Sequence, residues 1–109
     1  MSYVLVIHPQ VRDDVLDIFL YLDQHSPAQA DRFVESVLES YDHLISELNK
    51  QVFLQATRKV KSRPIGKFKR HLMYYTVDKK NKKVMVLAIC YGGRNPEEID
   101  AMINGRLQG

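Results

Sequence analysis

Between Arg58 and His71 the chain reads RKVKSRPIGKFKRH, seven Lys and Arg in fourteen positions with no acid among them. Cations interleaved with aromatics can neutralise phosphates while a ring stacks on a base. They can equally pair with the carboxylates of an acidic protein, or simply guard a sheet edge against aggregation. Candidate contacts to a target or partner are Arg58, Lys59, Lys61, Arg63, Lys67, Lys69, Arg70 and, further on, Arg94.

Cleavage of RNA by its own 2′-hydroxyl needs a base, a cation for the charge growing on phosphate, and an acid for the leaving oxygen. Arg70 or Arg94 could serve the phosphate and His71 could move the proton, which makes a thin catalytic set. His71 has apolar neighbours in sequence, and a packed strand histidine is the more ordinary reading. His8, His25 and His43 are scattered along helix ends and faces without metal-ligand spacing, so no metal and no cofactor is expected. The single Cys90 excludes an internal disulfide and sits in the most apolar stretch, as an inert thiol would. Gly92 and Gly93 lack the GxGxxG context of a phosphate loop.

The elements that must position these residues are legible from periodicity. YVLVI (3–7) is short, apolar and β-branched, a buried strand. Val11, Val15, Ile18, Phe19 and Leu22 recur at helical spacing over 10–24, with Asp13, Asp14 and Asp17 off the stripe and Pro9 in the first turn. Ser26, Pro27 and Gln29 form a capping signal for a second helix, 27–49, whose stripe runs from Ala30 to Leu48. ATRKVKSR (56–63) reads as a strand interrupted by PIG. FKRHLMYYTV (68–77) is a longer strand, DKKNKK a turn, and VMVLAICY (84–91) a strand apolar on both parities, hence central. Alternation puts Phe68, Arg70, Leu72 and Tyr74 on one face of the longer strand and Lys69, His71, Met73 and Tyr75 on the other. Asn95, Pro96 and Glu98 open a short C-terminal helix. The expected fold is α+β: an N-terminal strand and a helical hairpin packed on a mainly antiparallel sheet, with a short C-terminal helix, all in one domain spanning 1–109.

Composition fits a globular domain, with 45% apolar and 27% charged residues. No apolar run reaches the roughly 20 residues of a membrane helix, and the opening MSYVLVIHP reads against a signal peptide. A cytoplasmic protein without membrane contact is the expectation. The net charge of +3 conceals a split: residues 1–54 hold 3 basic and 9 acidic side chains, net −6, whereas 55–109 hold 13 and 4, net +9. Such segregation predicts a basic surface that attracts polyanions or acidic proteins.

Three motifs, in order and covering nearly the whole chain, resemble the RelE/ParE superfamily of toxins from bacterial toxin–antitoxin pairs. They are the strand followed by DDVLDIFLYLDQHSPAQADRFVESV, then HLMYYTVD (71–78), then VMVLAICYGGRNP (84–96). The resemblance implies a toxin of a plasmid-stabilisation or addiction type, silenced by a cognate protein antitoxin. Arg94 matches the family's arginine after the last strand. Leu72 stands where the family often has arginine, and no tyrosine follows Arg94, which counts against the RelE-like alternative, ribosome-dependent mRNA cleavage. The helix pair and the GGRNP end favour the ParE-like branch, for which the resemblance implies DNA gyrase as target. A non-toxic module that keeps the fold and the antitoxin interface is a further alternative.

Overall fold

The computed structural model describes residues 2–50 and 60–108. Among these the order is β1 (Val4–Ile7), α1 (Val11–Asp23), α2 (Pro27–Lys50), β2 (Lys61–Ile65), β3 (Phe68–Asp78), β4 (Lys83–Tyr91) and α3 (Pro96–Gln108). The sheet order is β1-β4-β3-β2. β1 runs parallel to β4, and the other two pairings are antiparallel. The chain therefore forms the expected α+β fold on a mixed, mainly antiparallel sheet.

β4 is an inner strand, as its two-sided apolar pattern required. A bulge sharpens that reading: Tyr74 lies opposite Ala88 but Tyr75 lies opposite Val86, so Leu87 is an extra residue in β4. The bulge shifts the alternation. Val84, Val86 and Ile89 join the core under the helical hairpin, while Leu87, Ala88 and Cys90 pack with Ile99 and Ile103 of α3 on the opposite face. The sheet thus has a helical layer on each side.

The hairpin layer is held by Phe33, Val37, Leu44 and Leu48 of α2, all buried against Ile65 and Met73. Each large apolar side chain so removed from water stabilises the fold by about 1.5–3 kcal/mol. Ser26 caps α2, its Oγ accepting the Gln29 N–H at 3.3 Å, and the Asn95 Oδ1 accepts the Glu97 N–H at 2.9 Å at the start of α3. Arg63 of β2 reaches back to α2 and grips Glu47 with both terminal nitrogens, at 3.0 and 3.3 Å.

Three local expectations change. Pro9 lies in the turn before α1, whose first residue is Val11. Pro64 and Ile65 continue β2 instead of interrupting it; β2 is an edge strand, where a proline need not supply a ladder donor. Phe68 sits on the hairpin side with His71, not with Arg70, because the register shifts between Pro64 and Ile65 and Ile65 pairs directly with Phe68. The two-residue loop between them places Gly66 at φ +49, the left-handed region a hairpin turn needs at that position. The expected strand residues 56–59 lie outside the described residues.

Candidate functional site

Arg70, His71 and Arg94 come together around one open cleft of about 520 Å³. β3 supplies the first two. β4 supplies the floor, Ile89, Cys90 and Tyr91, and α1 supplies the opposite wall, Asp14, Asp17, Ile18 and Tyr21. The chain reaches Arg94 through a turn fastened at two points. The Gly92 N–H donates to the Arg70 carbonyl at 2.7 Å, and the Arg94 N–H donates to the Tyr91 carbonyl at 3.3 Å. Tyr91 folds back over this turn so closely that a Cβ on Gly93 would stand 2.4 Å from its ring. The second glycine therefore leaves the Tyr91 ring its place over the turn, and a side chain there would have to displace it.

His71 is half-buried and has rings on several sides. Phe33, Tyr91 and Phe68 meet it edge to face, with centroids at 5.3, 5.9 and 6.4 Å. Burial pushes its pKa below the usual imidazole range. The ring is neutral at pH 7, and no described hydrogen bond links it to a carboxylate that would orient it. It can accept a proton but is not set up to give one. Burial also pushes the Cys90 thiol up, with Arg94 pulling the other way, so Cys90 is not an activated nucleophile.

Asp14, which the helical pattern assigns to a solvated face, is occupied elsewhere. Its carboxylate receives both terminal nitrogens of Arg106, at 2.6 and 2.8 Å, and the Ile89 N–H at 3.0 Å. The pair is largely buried, and the hydrogen bond to Asp14 raises the pKa of Arg106 further. Sequence spacing carries no signal for a contact between residues 92 positions apart.

The described cations of the basic ribbon have different surroundings. Arg63 is neutralised by Glu47. Lys61 is exposed on edge strand β2. Lys67 lines a hollow with Arg32, Glu35 and Glu39 of α2. Lys69 and Arg70 border a shallow hollow beside Tyr91 and the two glycines. Arg58 and Lys59 lie outside the described residues. Tyr91, Tyr21 and Ile18, which give the cleft its apolar lining, were not singled out in the sequence as site residues. The only hint was that Tyr91 ends an otherwise apolar strand directly before GG. Among the described residues, no group of three or more His, Cys, Asp and Glu could hold a metal ion, and no helix is long and apolar enough to cross a membrane.

A strand, a helical hairpin, an antiparallel run of three strands and a terminal helix, with Arg70 and Arg94 beside the end of the last strand, are the layout expected for the RelE/ParE superfamily. Residues 5–96 match the family described as the ParE toxin of the type II toxin–antitoxin system parDE, and the chain belongs to that family. Two curated relatives, each named Toxin ParE2, come from two strains of Mycobacterium tuberculosis. Each is 26% identical over 106 residues, which is 97% of this chain and 97% of the relative. The protein is the toxin component of a type II toxin–antitoxin system.

Proposed function

We propose that this toxin arrests growth by inhibiting DNA gyrase, and that a cognate antitoxin made in the same cytoplasm neutralises it. The observation that carries the reading is the state of His71. The one imidazole in the cleft is half-buried among three rings, with its pKa lowered by burial, and no described hydrogen bond ties it to a carboxylate. General acid–base cleavage of RNA asks for more than that. The ParE match over residues 5–96 supports the same branch.

Ribosome-dependent mRNA cleavage remains the second reading because Arg70 and Arg94 do flank His71 in one cleft. Purified toxin is expected to block supercoiling by gyrase and to leave mRNA intact in a translating extract. Codon-positioned cuts with normal supercoiling would reverse the choice. Induction without effect on growth would leave only the non-toxic, antitoxin-binding module.

A further inference from the structure

The sheet has two edge strands, and they are built differently. β2 carries Lys61 and Pro64, and its register slips between Pro64 and Ile65. Charge, proline and irregular register keep a strand edge from pairing with another chain. β1, at the other edge, reads VLVI, with no charge, no proline and no register shift. Val4 is 57% exposed there, Ile7 42%, and Leu107 of α3 48%. Val6, Ile7, Met85 and Leu107 line an open hollow of about 480 Å³ between β1 and the end of α3.

The parallel ladder fixes which peptide groups of β1 look outward. The Val4 N–H donates to the Lys82 carbonyl and the His8 N–H to the Val86 carbonyl, both at 2.9 Å. Val4, Val6 and His8 therefore turn their peptide groups towards β4, and Leu5 and Ile7 turn theirs to the open edge. No described hydrogen bond engages those of Leu5 and Ile7. The outward series is blocked at both ends. The Tyr3 N–H is taken by the Asn49 Oδ1 at 2.9 Å, and Pro9 has no N–H.

We propose that this edge receives β1 of a second copy of the chain, antiparallel, about a twofold axis at Val6. Leu5 of each copy exchanges both hydrogen bonds with Ile7 of the other. Val6 lies opposite its own counterpart, Val4 opposite His8, and the two blocked residues, Tyr3 and Pro9, opposite each other. The blocked ends select this register. A twofold axis at Leu5 would set Ile7 against Tyr3, one at Ile7 would set Leu5 against Pro9, and each would lose a donor. Charge selects the occupant: an acidic or basic segment finds no counter-charge on β1, whereas VLVI against VLVI is apolar on both faces. The exposed Val4 and the half-buried Val6 share one face, so the pairing covers apolar surface as well as peptide groups. None of the residues lining the arginine cleft takes part.

The test uses the ¹⁵N-labelled toxin by itself. In sedimentation equilibrium its mass should rise from one chain towards two between about 10 μM and about 1 mM, the range for so small an interface. Exchange of the Leu5 and Ile7 amides should slow over the same range. Under mild oxidation Val6→Cys should give a disulfide-linked dimer, because opposite residues of this kind stand about 4.5 Å apart at Cα. Val4→Cys lies on the same edge but about 13 Å from its counterpart, and should give several times less; Cys90 is buried and does not compete. A toxin that stays monomeric over that range, or equal cross-linking of the two variants, would overturn the proposal. Protection of Leu5 and Ile7 only by the product of the adjoining gene, where the toxin alone is monomeric, would assign the edge to a different protein and overturn it as well.

Discussion

Arg106 and Asp14, in the last turn of α3 and the first turn of α1, form a two-pronged ion pair that also binds two backbone groups of β4. Four partners meet at one point: two helices from opposite sides of the sheet, the Leu87 carbonyl and the Ile89 N–H. The pair therefore does for β4 what a longer β1 would do, and it marks where the cleft begins.

Removing one member should be costly. With both side chains near 10% exposed, at 10% and 13%, Asp14→Asn leaves a buried cation uncompensated and should lower stability by about 3 kcal/mol in urea unfolding. Adding Arg106→Met to that variant should recover part of the loss. A double variant as unstable as the sum of the singles would mean the two residues act separately.

His71 makes stability depend on pH in a defined direction. Its folded pKa lies below the ordinary 6.5 because of burial, so the unfolded chain takes up the proton first. Stability contributed by the neutral ring is present above pH 6.5 and declines as pH falls below it. The urea midpoint of the wild type should drop between pH 7.5 and 5.5, and His71→Phe should drop less.

Tyr41 acts at the alkaline end. Burial, then the Asp14 carboxylate, pushes its pKa up to about 12. The protonated phenol supports the fold below the unfolded value of 10, and that support is lost as pH rises from 10 towards 12. Tyr74 and Tyr75 are also pushed up by burial, so absorbance titration should show several late-ionising tyrosines, of which Tyr41→Phe removes the one near 12, and the same variant should flatten the stability loss above pH 10.

Gly93→Ala tests the cleft without touching a charge. The added Cβ meets the Tyr91 ring at 2.4 Å, so the ring must swing off the turn and lose its edge contact with His71. Aromatic pairs of this kind are worth about 0.5–1.5 kcal/mol. A stability loss of that order is expected, together with a changed chemical shift at His71; an unchanged His71 signal would show that the turn gives way instead.

The exposed lysines should act only together. Each rim charge contributes about 0–1 kcal/mol, so Lys61→Gln, Lys67→Gln and Lys69→Gln are expected to do little singly and to weaken partner binding cumulatively, with unfolding unchanged. High salt should weaken the wild type in the same way, since screening shortens to about 3 Å at 1 M. Unaltered binding by the triple variant at low salt would make these lysines a solvated face.

The sequence by itself determined the elements and their layers. Helical spacing from Val11 to Leu22 and from Ala30 to Leu48, caps at Ser26 and Asn95, and two-sided apolarity from Val84 to Cys90 are local signals, and local signals specify local structure. The three family motifs were likewise visible in order. Only the tertiary structure decided what the charges do. Arg63 looked like part of a basic ribbon and is paired to Glu47; Asp14 looked solvated and holds Arg106; Phe68 changed face because one register shift reset the alternation. The bulge at Leu87 and the short β1 leave an edge that no periodicity reveals. Hydrophobic pattern is read along the chain because burial depends on which face a residue takes. Ion pairs and open strand edges depend on where distant segments stop relative to one another, and that distance exists only in the fold.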